Sequence, residues 1–193
     1  MSVLLRPRST IANVGAAAYA AGDEISNSAT AGSVVRPTFS LEGFSQGLIY
    51  AAQLDLTAAS GNVVTTASDF ELLIFHTVDA PAAVGDNVTM PISAATRALA
   101  IAGFRFDDGG WTGPLGTVAA GTSQHQAVGA HLVQPLATSV LQSPWVAGLP
   151  FTFAGKILSS TGRQFTAVLR TLAAWNTATV VHTFGITLDI EAT

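Results

Sequence analysis

The sequence contains no cysteine and a single lysine, Lys156. The first absence excludes disulfides, thiolate metal centres and cysteine nucleophiles. The second leaves positive charge to seven arginines scattered from Arg6 to Arg170. Charged residues of either sign make up only 10% of the chain, against about 25% in an ordinary soluble domain. With a formal net charge of −4 there is no concentrated basic face to neutralise phosphates, so no nucleic-acid partner is expected. Long apolar runs are also missing: Gly22, Asp23 and Glu24 interrupt the longest alanine-rich stretch, short of the roughly 18 residues that cross a bilayer. No membrane partner is expected either. The first residues imitate a secretory leader, with Arg6 and Arg8 ahead of the alanines and Ala18-Tyr19-Ala20 as a small-residue cleavage pattern, but Asn13 and Gly15 break its apolar centre.

What is abundant is neutral. Hydrophobic residues reach 49% of the chain, so its surface must be kept in solution by Thr, Ser, Asn and Gln and will carry apolar patches. Such patches usually mark interfaces. At 193 residues the chain suffices for one core.

Apolar residues recur with period two. In the last segment Val180, Phe184, Ile186, Leu188 and Ile190 share one face, and Thr183, Thr187 and Asp189 the other, the pattern of a half-buried strand. Phe70 to His76 is a nearly continuous apolar run ending in a polar loop with Asp79, Pro81, Gly85, Asp86 and Asn87, which predicts a core strand. Phe151–Ala154 and Phe165–Arg170 flank Ser159, Ser160, Thr161 and Gly162 and are expected to pair as a hairpin, Lys156 to Leu158 extending its first strand. Leu48 to Leu56 fits a strand on Leu48, Tyr50, Ala52, Leu54 and Leu56, and also fits helical spacing. Ser93 is positioned to cap a short helix over Ala94–Ala100. Pro37 restricts Val34–Glu42 to an edge strand. Together these predict an all-β chain: an antiparallel β-sandwich of jelly-roll type over residues 38–193, preceded by an extended N-terminal arm over 1–37.

Four motifs invite chemistry. Gly43-Phe44-Ser45-Gln46-Gly47 matches the G-x-S-x-G turn of a serine nucleophile, but too little chain precedes Ser45 to build the strands and helices such a turn requires. The alternative is a tight glycine-flanked turn. Arg105 to Pro114 joins Asp107 and Asp108 to Trp111: a calcium or sugar site is one reading, a wide glycine turn whose tryptophan covers the core edge the other. His125 and His131 lie in an irregular stretch at a spacing that fits no zinc motif, and His182 falls on the apolar phase of its strand as a core histidine. No catalytic, cofactor-binding or metal residues are therefore assigned, and no enzyme activity is expected.

Tyr19-Ala20-Ala21-Gly22-Asp23-Glu24-Ile25 after an arginine-bearing start, followed by Phe70–Phe75 and the loop of Asp79, Pro81, Asp86 and Asn87, resembles small virion structural proteins of tailed bacteriophages. The resemblance implies a head decoration or cement protein: a β-sandwich, often a homotrimer, bound to the major capsid protein at the capsid surface of the virion. An N-terminal arm that crosses onto a neighbour would suit that role. Two other functions are carried beside it: a jelly-roll carbohydrate-binding module or virion adhesin using Trp111 with the loop near His125 and His131, and a serine hydrolase acting through Ser45.

Overall fold

The computed structural model describes residues 2–13, 18–58, 68–111, 123–129, 148–156, 162–177 and 181–193. Within them the strands are β1 (Val3–Leu5), β2 (Arg8–Ala12), β3 (Thr38–Ser40), β4 (Gln46–Ala58), β5 (Phe70–His76), β6 (Ala100–Phe106), β7 (Ser123–Gly129), β8 (Leu149–Thr152), β9 (Gln164–Thr171) and β10 (His182–Ala192). One short helix, α1 (Ala94–Ala98), starts where Ser93 accepts the backbone N–H of Thr96. One sheet has the order β1-β10-β4-β7, with β2 also on β10 and β8 also on β4; the other has the order β3-β9-β5-β6.

All the strand pairs are antiparallel. Four of them, β2 with β10, β3 with β9, β4 with β7 and β5 with β6, are the rungs of one long hairpin. Rolling that hairpin up brings β10 against β4 and β9 against β5, which is the jelly-roll arrangement of two Greek keys. The chain is thus an all-β sandwich of jelly-roll type.

Between the sheets lie the inward residues of each strand. On β10, Phe184, Ile186, Leu188 and Ile190 are buried, as their period-two spacing predicts. Phe70 sits where three rings meet it edge-on: Trp111 at 5.9 Å, Trp175 at 5.2 Å and Phe184 at 5.4 Å between centroids. Each large side chain removed from water this way contributes about 1.5–3 kcal/mol, and T-shaped pairs add to it.

β5 is buried at every position. Phe70, Leu72 and Ile74 enter the main core, while Leu73 and Phe75 point the other way into a second cluster with Met90 and Val168. That cluster is roofed by the β5–β6 connection through Ala80, Val84 and Ile92. A strand covered on both faces loses its alternation, which is why this segment reads as a continuous apolar run.

Two expectations are corrected. The hairpin of Phe151–Ala154 with Phe165–Arg170 does not form: β8 pairs with β4 and β9 with β3 and β5, in opposite sheets. The extension over Lys156–Leu158 runs beyond the described residues after Lys156. On β4 the predicted inward phase breaks at Tyr50, because a bulge opposite Asp189 and Ile190 lets Ile49 and then Ala52, Leu54 and Leu56 all face the core.

The described residues of the N-terminal arm hydrogen-bond to both sheets. β1 and β2 edge β10 in one register, interrupted at Pro7. Gly22 and Ile25 donate to Thr171 and Leu169 of β9, and Tyr19 and Ile25 are buried. Sequence reading missed these pairings because the segment's apolar residues, many of them alanine, show no sustained period. Its hold comes from backbone bonds and buried polar groups.

Candidate functional site

β8 and the turn behind it are ringed by shallow grooves. One, of ≈ 300 Å³, is lined by His76, Asp79, Leu99, Ile101, Phe151 and Lys156, among others. The fold brings these together by ending β5 at His76 and turning the chain through a 3-10 helix over Thr77–Asp79. Lys156 Nζ meets Asp79 Oδ2 at 2.8 Å. His76 is buried against the edges of Phe153 and Phe165, and its Nδ1 has no hydrogen-bond partner among the described residues. Burial holds its pKa below the ordinary value, an effect that Asp79 opposes and Lys156 reinforces. A neutral imidazole beside an ammonium–carboxylate pair has no second carboxylate or histidine to help bind a metal. Among the described residues no group of three or more potential ligands occurs.

A second groove, of ≈ 350 Å³, is lined by Ser45, Thr152, Phe153, Ala154, Gly155 and Arg163. Here the G-x-S-x-G motif is resolved as structure. Gly43 has φ +89, and a Cβ on Gly47 would lie 2.1 Å from the Glu191 carbonyl oxygen. Each glycine therefore has a backbone reason to be there. The residues after Ser45 continue as β4, not as a helix, and Ser45 shows no strained positive φ, so the elbow that exposes a nucleophile is absent. Its Oγ donates only to the Thr193 carbonyl, at 3.4 Å. Among the described residues neither a histidine nor a carboxylate lines this groove to accept its proton.

Trp111 is 7% exposed. Its Nε1 donates to the Ser68 carbonyl at 3.4 Å, and its ring packs on Phe70 and Phe106. It covers the core edge, and stacking on a sugar is closed to it. Asp107 is held by Arg105 at 2.5 Å, so the adjacent carboxylates do not converge on a cation. His125 sits on β7 in register with Asp55; its side chain, like His131, lies outside the described residues. His182 is a buried core residue, tilted on Trp175 at 4.9 Å.

The charged residues all fall within the described part of the chain, and their pairing is the feature that sequence reading missed. Glu71, 4% exposed at its side chain, is clamped at 2.6 Å by both Arg97 of α1 and Arg170 of β9. Burial alone would raise the Glu71 pKa. The hydrogen bond from Arg97 and the charges of both arginines outweigh it and hold the carboxyl below 4.5. Glu24 takes Arg36 at 2.7 Å and the Val84 amide at 2.8 Å. Asp86 accepts the Tyr19 hydroxyl at 2.6 Å and the Ser26 amide at 2.8 Å. Burial first, then the Asp86 bond, push the Tyr19 phenol well above its usual range.

On the outer face of the other sheet, Arg6 pairs with Asp189 and Arg8 with Asp55. Arg105 and Lys156 are paired as well. Arg163 alone among the eight lysines and arginines has no carboxylate partner. What remains for association is a surface with little free charge that exposes Val3, Leu4, Val35, Val88 and Leu99.

No protein-family model and no curated protein matches the chain. Among solved structures it is similar to the 60-mer BFDV capsid protein, at TM-score 0.35 and 10% identity over 100% of this chain and 93% of that one. Broad Bean Stain Virus gives TM-score 0.30 and 9% identity over 99% and 89%. The native virion of Kashmir bee virus at neutral pH gives 0.31 and 8% over 98% and 70%. Scores of this size leave the fold assignment to rest on strand order.

Proposed function

We propose that the chain is a non-enzymatic structural protein of a virion, a head decoration or cement protein of a tailed bacteriophage that binds the major capsid protein at the capsid surface and acts as a homotrimer. The observation that carries this reading is the pairing of charge. Nearly every cation is tied to a carboxylate of its own chain, so a coat-protein partner would be held mainly by neutral polar and apolar surface. A contact of this kind gains about 25 cal/mol per Å² of apolar area buried and needs roughly 1,200–2,000 Å² to be stable.

The adhesin reading loses its main support because Trp111 is buried. The hydrolase reading loses its own because no base among the described residues lines the groove of Ser45.

Two measurements test the proposal. Light scattering behind size exclusion should give a mass near three times 19.7 kDa. Co-sedimentation with capsid shells lacking the protein should show binding that changes little as salt rises from about 0.05 to about 0.5 M, because screening acts on exposed charges and not on apolar burial. A monomer that stays in the supernatant of such shells would overturn the reading.

A further inference from the structure

Of the charged side chains, one cation and one carboxylate have no side-chain partner among the described residues, and they lie at opposite ends of the same sheet. Arg163 is the cation: no carboxylate pairs with it, and its Nε is buried without an acceptor. The neighbouring Glu42 carboxylate is taken up by the Arg163 backbone N–H at 3.0 Å and makes no ion pair with the guanidinium. Asp108 is the carboxylate. Its backbone amide donates to Asp69, but its own oxygens receive nothing. It stands on a turn, Asp107 to Gly110, that is exposed at all four positions.

Register fixes the separation. Phe106, just before Asp108, pairs with Phe70 at one end of β5, and Phe165, just after Arg163, pairs with His76 at the other. The seven residues of β5 span about 20 Å at 3.3 Å per residue, so the two groups cannot meet within one chain. The Nε is closed off within the chain, so a carboxylate from a second chain would meet the guanidinium at its terminal nitrogens, where a charged hydrogen bond is strongest.

We propose that copies of this chain associate head to tail, the Asp107–Gly110 turn of one copy entering the groove of Ser45, Thr152, Gly155 and Arg163 on the next, with Asp108 paired to Arg163. The proposal rests on the self-association in the reading above and specifies its contact. The fit is of size as well as charge: the turn is exposed at all four positions and carries two glycines and no bulky side chain, and the groove, of ≈ 350 Å³, is lined mainly by small residues. A contact between unlike surfaces is heterologous, and it closes into a ring when its rotation allows. A ring of three gives each copy one filled groove and one seated turn.

The test is a charge exchange followed by sedimentation equilibrium. Arg163→Asp and Asp108→Arg should each weaken self-association about tenfold, since each sets like charges against one another. The double variant should recover most of the loss. Both side chains lie outside the core, and circular dichroism of each variant checks that the sandwich persists. Single variants that associate as wild type does, or a double variant no better than the singles, would overturn this contact. Neither result would touch the virion reading, which fails separately if wild type is monomeric and does not bind shells.

Discussion

The two sheets of the sandwich use the same kind of interaction on their outer faces to opposite ends. On the β10–β4 sheet no described segment covers the outer face, and its Arg6–Asp189 pair has side chains 66% and 42% exposed. On the β9–β5 sheet the β5–β6 connection and the segment around Glu24 cover the face, and the Glu71 carboxylate is 4% exposed between Arg97 and Arg170. In water an ion pair gains little, because solvent already stabilises each charge. Under cover, each partner depends on the other, and removing one leaves the rest desolvated. Cover decides what an ion pair is worth, and among the described residues that cover lies over the β9–β5 sheet.

Breaking the covered side should have the largest effect. Glu71→Ala leaves two arginines half-buried without a carboxylate and should cost about 3–5 kcal/mol in urea unfolding. The same group gives the comparison an acid limb. Its carboxyl is held below 4.5 in the folded chain, so its stabilisation is complete above that value and is lost as pH falls through the lower folded pKa. Acid titration of stability should therefore be shallower in Glu71→Gln than in wild type. An equal acid slope in the two proteins would remove Glu71 from the account.

Tyr19→Phe sharpens the contrast at smaller scale. It deletes one donor to the buried Asp86 without opening a cavity, and should cost about 1–3 kcal/mol. Smallest of all, Arg6→Ala on the outer face of the β10–β4 sheet should shift stability by less than about 1 kcal/mol, and that shift should vanish in about 1 M salt. A large effect of Arg6→Ala would mean that something covers this face too.

Much of the architecture is legible in the residues. β5 and β10 carry their patterns openly, Pro37 leaves β3 at the sheet edge, and Ser93 caps α1 as its position predicts. The losses have a common cause. The bulge at Tyr50 and the placement of β8 depend on which strand each segment meets, and no local pattern records that choice. The candidate site was less legible still. Glu71 and Arg170 are 99 residues apart, and neither stands out in composition or spacing. Trp111, set among glycines and aspartates, leaves a sugar site open beside the core-edge reading, and its packing on Phe70 and Phe106 bears out the core-edge reading. Ser45 shows the converse, a motif whose letters match while the strand that follows it excludes the matching geometry.

The central place of β10 has a consequence for how the molecule is made. This strand, the latest in the chain, joins β1 and β2 on one side to β4 on the other. Until it leaves the ribosome, the first strands have no edge to pair with and the apolar face of β4 stands open. Pairings between sequence-distant segments form slowly, and partly built sheets with open edges aggregate. Assembly of this sandwich should begin with β5, β6 and β9 and finish in one late step when residues 182–192 arrive, so yield in the cell should be governed by synthesis rate and temperature more than by final stability.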